Sequence, residues 1–273
     1  MIVDVACFVG TYPFRAVPGA NASAVLAQMD RLGIEQAWVG HLSAPWHRDP
    51  RSVNRELAEA VAPHGSRLVP IPTIHPDLPS WKVDIGAAAE MGAPGIRVYP
   101  MQQVVDPAGP AMQALVHTAA SSHLVVILTT RFEDVRQRHP LDTVPDLPAA
   151  AVRALARCDG NAKILVTHAD RAFIEEVHFG LTPDERRRVL WDFSWVWGPP
   201  EDDLAHLLEV VGDERFTLGT GMPLRIGDAP FAKLDLLDCS EDQRARLTGG
   251  NLRAWRANPP NRLQDRRLPS RYP

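Results

Sequence analysis

Two residues at the ends of apolar runs have the chemistry to move protons. His168 closes the run Ile164-Leu165-Val166-Thr167, and Asp192 lies within Trp191-Asp192-Phe193-Ser194-Trp195. An unperturbed imidazole titrates near about 6.5, so a histidine at a strand end can serve as general base or acid. Asp192 could orient that imidazole or act as a base itself. Each also has a bland reading: a histidine held by a backbone carbonyl, and a carboxylate bonded to loop amides. His41 and His75 end two further runs, and Arg97 and Tyr99 share one face of another by strand alternation. Arg15, Arg131 and Arg225 each follow an apolar run, where a planar guanidinium fork suits a carboxylate. A surface ion pair is the alternative for any one of them; their recurrence points to an anionic ligand group. Trp46, Trp195 and Trp197 could wall such a site. The predicted site is therefore His168 and Asp192 as catalytic groups. Arg15, His41, His75, Arg97, Tyr99, Arg131, Trp195 and Arg225 are its substrate-binding groups.

Such residues need strand ends to hold them. Strand-like runs fall at 2–9, 36–42, 67–73, 95–99, 124–130, 163–168, 189–194 and 215–219. Amphipathic stretches lie between them, at 22–32, 52–62, 80–91, 109–122, 147–158 and 201–211. Gly33 is a helix stop, and Thr182-Pro183 an N-cap followed by a first-turn proline. Ser240 and Gln243 have capping-box spacing. Eight alternating strand–helix units predict an α/β fold of the (β/α)8 TIM-barrel type, with the site at the C-terminal strand ends. No glycine fingerprint of a dinucleotide fold follows the first strand. We expect one barrel domain over 1–273. Residues 132–147 should form a long loop after the fifth strand, placed to act as a lid. Residues 258–273, rich in Pro and Arg, should form an extended tail that leaves room for a homo-oligomer.

In this order the chain resembles the amidohydrolase-related family of TIM-barrel hydrolases and decarboxylases. The matches are Ile2-Val3-Asp4, Leu32-Gly33-Ile34, Asn54-Arg55-Glu56-Leu57-Ala58, Gly95-Ile96-Arg97-Val98-Tyr99-Pro100, Leu165-Val166-Thr167-His168, Gly219-Thr220-Gly221-Met222-Pro223 and Gly250-Asn251. The resemblance implies a metal site built on a His-x-His pair in strand one, a histidine ending strand five, another after strand six and an aspartate in strand eight. Here those positions are Ala6 and Phe8, Thr129 or Thr130, His168, and Gly221. A catalytic zinc needs about three protein ligands. If Asp4, Ala6 and Phe8 face the mouth, Cys7 faces the helices. We expect no metal and no cofactor; a relocated set of His41, His75 and His168 is the alternative. Gly221 also removes the aspartate base used by the family's metal-free lactonases, which leaves His168.

Composition narrows the function further. A net charge of −4 gives no electrostatic reason to bind nucleic acid or an anionic membrane. Three widely spaced cysteines form neither a disulfide framework nor a zinc knuckle, and suggest a reducing, cytoplasmic setting. Only three lysines occur, and Lys163 belongs at the far end of its strand, so Schiff-base chemistry is not expected. The leading expectation is a metal-independent hydrolase of a small carboxylate-bearing ester, lactone or amide. The alternatives are a lyase or decarboxylase on a similar substrate, and a non-catalytic binding or scaffold protein.

Overall fold

The computed structural model describes residues 1–257. Eight short strands alternate with helices: β1 Val3–Val9, β2 Gln36–His41, β3 Leu68–Pro70, β4 Gly95–Val98, β5 Val125–Thr129, β6 Ile164–Thr167, β7 Val189–Asp192 and β8 Phe216–Thr217. All neighbouring strands pair in parallel. Two seams join the β1–β3 and β4–β8 groups. Thr73 bridges Arg97 in parallel at one. At the other, Val5 N–H donates to Leu218 O (3.0 Å) and Gly221 N–H to Ala6 O (2.7 Å). The sheet therefore closes as the expected (β/α)8 barrel. The expected tail at 258–273 lies outside the described residues.

The helices follow their sequence signals. They include α1 Ala22–Leu32, α2 Arg51–Val61, α3 Trp81–Glu90, α4 Pro110–Ser121 and α5 Ala149–Cys158. Asn21 caps α1 by accepting from Ala24 N, and Gly33 ends it with φ 70°. Thr182 and Glu185 form a full capping box. The expected helix at 201–211 is a short α-helix, Asp203–Leu207, that widens into a π-turn at Leu208–Gly212.

Strand alternation sorts the side chains. Val126, Leu128, Ile164, Val166, Val189 and Trp191 face the helices, whereas Val125, Ile127, Leu165 and Leu190 fill the barrel. Leu252 and Trp255 of the last described helix, Asn251–Ala257, join that inner cluster. One departure matters. The β1–β2 register shifts between Asp4 and Cys7. Val5 therefore lies inside the barrel, Cys7 toward the helices and Phe8 in the mouth. The expectation that Asp4 shares Phe8's face fails, because an irregularity in the pairing breaks the period of two. Asp4 instead ties β1 to the turn after β8. It accepts from Ala6 N (2.9 Å), Thr220 N (3.0 Å) and Thr220 Oγ1 (2.5 Å).

Candidate active site

His168 sits one residue past β6 with φ 61°, a conformation that costs a non-glycine residue energy. Its surroundings fix it from three sides. Its N–H donates to Asp192 Oδ1 (2.9 Å), its carbonyl accepts from Thr130 Oγ1, and Nδ1 meets Arg131 O (2.9 Å). A carbonyl only accepts, so Nδ1 carries the hydrogen and Nε2 presents a lone pair. Nε2 is buried with no hydrogen-bond partner. Burial, then Arg225, Arg97 and Arg131, push the imidazole pKa down to about 3. His168 is therefore neutral at physiological pH. This corrects the expectation of a base poised near neutrality: burial first, and then three arginines, disfavour the charged imidazole.

Asp192 does not touch the imidazole. It holds the backbone of His168 and accepts from Ser194 Oγ (2.9 Å). Burial raises its pKa to about 7 despite those bonds. Gly219 makes room for it, since a Cβ there would lie 2.3 Å from Asp192 Oδ2. Asp192 thus positions His168 rather than exchanging protons with it.

Aromatic rings enclose the mouth. The His168 ring stacks on Trp195 (centroids 5.6 Å, 30°) and meets Phe8 edge-on (6.1 Å). Phe132, from the loop after β5, contacts Phe8, Tyr99 and Trp46 at 5.8, 5.4 and 5.2 Å. Tyr12, Phe14 and Trp46 complete the cover by edge contacts at 5.1–5.5 Å. Arg15 Nε donates to Glu133 Oε1 (2.8 Å), which fastens the loop after β1 to the loop after β5. The loop at 132–147 is thus a closed cover in this conformation.

Beneath the rings lies Arg97, 0% exposed. Its Cζ stands 4.7 Å from the Phe8 ring centroid, and Nη2 donates to Val5 O (2.9 Å). Nε and Nη1 meet no acceptor in hydrogen-bond geometry; the Tyr99 hydroxyl lies close to Arg97 and Thr129 without meeting that geometry either. Arg225 lies flat on Trp195, Cζ 3.3 Å from the ring centroid, with Nη2 donating to Phe132 O (3.0 Å). Gly221 permits this: a Cβ there would lie 2.7 Å from Arg225 Cγ and 3.2 Å from His168 Nε2.

The structure gathers His168, Arg97, Tyr99, Trp195 and Arg225, with Asp192 beneath them. Other predicted residues fall outside. His41 turns toward the helices, Nε2 3.3 Å from Glu56 Oε1 and Nδ1 3.0 Å from Ser43 Oγ; it follows the inward-facing Gly40, so alternation sends it out. Nδ1 of His75 accepts from Asp77 N (3.3 Å), and Asp77, Arg48 and Asp49 are the charges it feels. Arg15 is spent on Glu133. Arg131 is engaged by Asp146 and Asp170, each at 3.0 Å, and shapes the field rather than offering a free fork. Sequence reasoning missed Phe8 and Phe132 as walls, and also Lys233. The Lys233 ammonium donates to Phe193 O (3.1 Å) and Ser194 O (2.9 Å) and supports the segment carrying Trp195. Alternation could have flagged Phe8; a loop residue such as Phe132 gives no periodic signal.

A metal does not fit these residues. Among the described residues no group of three or more His, Cys, Asp or Glu side chains could hold one. That removes the relocated set of His41, His75 and His168 as a shared site. Phe8 fills one strand-one position with a ring, and the arginines make the mouth repel a cation.

No family profile matches the chain, and no curated protein does. Solved structures do match. A 2,6-dihydroxybenzoate decarboxylase in complex with 2,6-dihydroxybenzoate superposes with a TM-score of 0.74 at 14% identity, over 93% of this chain and 98% of that one. The 5-carboxyvanillate decarboxylase of Novosphingobium aromaticivorans, with manganese and 4-hydroxy-3-methoxy-5-nitrobenzoic acid, gives 0.69 at 15%, over 94% and 96%. A Staphylococcus aureus protein described as an amidohydrolase gives 0.72 at 12%, over 93% and 98%. The chain shares the barrel fold of these three proteins. The resemblance carried by the sequence motifs holds at the level of fold. No described helix is long and apolar enough to cross a membrane.

Proposed function

We propose that the protein is a lyase that decarboxylates a small hydroxyaryl carboxylate at the C-terminal mouth of the barrel. The observation that carries this reading is the aromatic cluster of Phe8, Tyr99, Phe132 and Trp195 at the barrel mouth. It combines flat apolar walls with the Arg97 and Arg225 guanidinium groups and a histidine held as a hydrogen-bond acceptor. Two of the decarboxylases with this fold are named for aromatic acids, 2,6-dihydroxybenzoate and 5-carboxyvanillate. Hydrolysis, the leading expectation from sequence, is less well supported. It requires water, pKa about 15.7, to lose a proton to an imidazole whose basicity burial and the arginines suppress. A phenol near about 10 is easier by roughly six units.

The chain's own residues then do the following. The arginines draw in the carboxylate, and the rings strip its water, which favours a reaction that disperses its charge. A bound anion also offsets the arginine field and makes His168 more basic. Nε2 takes the proton of a ring hydroxyl and returns it to the carbon bearing the carboxylate. The carbon–carbon bond breaks and CO2 leaves. The negative charge remains on the phenolate oxygen, so atoms and charge balance. Asp192 and Thr130 hold the imidazole in place.

The test is CO2 release from 2,6-dihydroxybenzoate and other hydroxybenzoates, run beside ester and lactone hydrolysis with the same protein. We expect CO2 release that His168→Asn lowers by roughly 10²–10⁴. Asparagine tolerates the positive φ but cannot carry the proton. Ester or lactone turnover without CO2 would restore the hydrolase reading. Ligand binding without turnover would favour a binding protein.

A further inference from the structure

A buried cation without a counter-charge is costly. An ion moved from water into protein loses hydration even after relaxation, and a buried donor left unpaired loses its bond to water as well. Arg97 bears both costs. No ion pair forms at its guanidinium among the described residues, and two of its N–H-bearing atoms are unpartnered. Asp4 feels its charge, but both Asp4 oxygens are already occupied by Ala6 and Thr220. The Phe8 face, 4.7 Å away, offsets part of that cost.

The barrel is nevertheless shaped to keep Arg97 there. A Cβ on Gly40 would lie 2.8 Å from Arg97 Nε and 3.2 Å from Phe8 Cδ1. Residues on β1, β2 and β4 are thus fitted to one guanidinium. The Tyr99 hydroxyl lies two residues along the same face, close to Arg97 and Thr129, and Thr217 Oγ1, which has no partner, lies on β8.

We infer that Arg97 is the fixed cation of a built-in anion site at the centre of the barrel mouth, and that with Tyr99 it receives the ligand's carboxylate on an unpartnered guanidinium N–H. The protein's permanent charge then does the ligand-holding work of a bound metal in a mouth that has lost the ligands for one. The site rests on the reading of the mouth as a ligand chamber, not on the reaction proposed for it. The two outer arginines fit different tasks: Arg225 donates to Phe132 O and lies on Trp195, and Arg131 is paired with carboxylates.

The probe is benzoate, with neutral benzamide as control, in buffer containing a chelator. Binding is read by tryptophan fluorescence and by the rise in melting temperature that a native-state ligand causes. Wild type should bind benzoate and not benzamide, with or without chelator. Arg97→Met should weaken benzoate at least about tenfold, because the charge-assisted bonds go, and Arg97→Lys should recover part of the loss. The ligand-free Met variant should melt at or above wild type, since an unpaired buried charge has gone. A merely structural arginine would do the reverse. Should Arg97→Met not fold, Gly40→Ala keeps the guanidinium but displaces it, and benzoate affinity should still fall. Wild-type benzoate affinity in both variants, or benzamide binding as well as benzoate, would overturn the site. Benzoate binding of the expected pattern without CO2 release from any hydroxybenzoate would sink the decarboxylase reading and leave the site standing. CO2 release with benzoate binding indifferent to Arg97 would do the opposite.

Discussion

The barrel interior has two storeys built from the same strands. The lower holds Val3, Val5, Trp38, Ile71, Val125, Ile127, Leu165 and Leu190, with Leu252 and Trp255 joining them from the last described helix. The upper, one inward-facing position further along several of those strands, holds Phe8, Gly40, Arg97, Thr129, Thr167, Asp192 and Thr217. Both are buried. The lower storey is apolar, so burial itself stabilises it. The upper storey holds a lone guanidinium, a neutral imidazole and unpartnered hydroxyls. The fold tolerates the upper storey because the lower supplies the stability, a division typical of barrels with chemistry at the C-terminal strand ends.

Substitutions should separate the two storeys. The largest stability effect belongs below. Leu165→Ala should lower unfolding free energy by about 2–5 kcal/mol, measured by urea denaturation. Benzoate affinity of the folded fraction should be unchanged. A comparable stability loss from Arg97→Met would erase the distinction between storeys.

A second effect, in the upper storey alone, appears in pH. His168 has its pKa depressed to about 3 from 6.5, so between those values the unfolded chain binds more protons and stability rises with pH. Asp192 has its pKa raised to about 7 from 3.8, so over that window the folded chain binds more protons and stability falls with pH. The two slopes oppose each other between about pH 4 and 6.5. Relative to wild type, His168→Asn should uncover the falling slope and Asp192→Asn the rising one, read from melting temperatures across pH 4–7 by about half-unit steps. Parallel curves for all three proteins would show that neither group is perturbed as its burial implies.

The smallest effect concerns the cover. Arg15 is half exposed, so its pair with Glu133 should contribute about 0–1 kcal/mol. Arg15→Met should barely change stability but should speed benzoate association in stopped flow, because the loops after β1 and β5 lose a fastening. An unchanged association rate would show that the cover opens elsewhere.

The sequence made the scaffold more legible than the site. Strands such as Val125–Thr129 and Ile164–Thr167 announce themselves by composition and spacing, and Asn21, Gly33 and Thr182 by their side chains. Alternation also placed Arg97 and Tyr99 correctly, because β4 runs without irregularity. It misplaced Asp4, since the shift between Asp4 and Cys7 leaves no local sequence mark. His41 and His75 were grouped with the site by residue type, but type does not say which way a strand-end side chain turns. The basicity of His168 was hidden for a related reason. Burial lowers it first, and then Arg225, Arg97 and Arg131, which lie far from it in sequence and meet it only in the closed barrel.

The most direct test of the central claim is a crystal structure of the protein grown with 2,6-dihydroxybenzoate in the presence of a chelator. The account predicts the ring between Phe8, Phe132 and Trp195, its carboxylate on the Arg97 guanidinium, and a hydroxyl facing His168 Nε2. Aromatic acid bound outside the barrel mouth, or an empty mouth with Arg97 unmoved at saturating ligand, would contradict it.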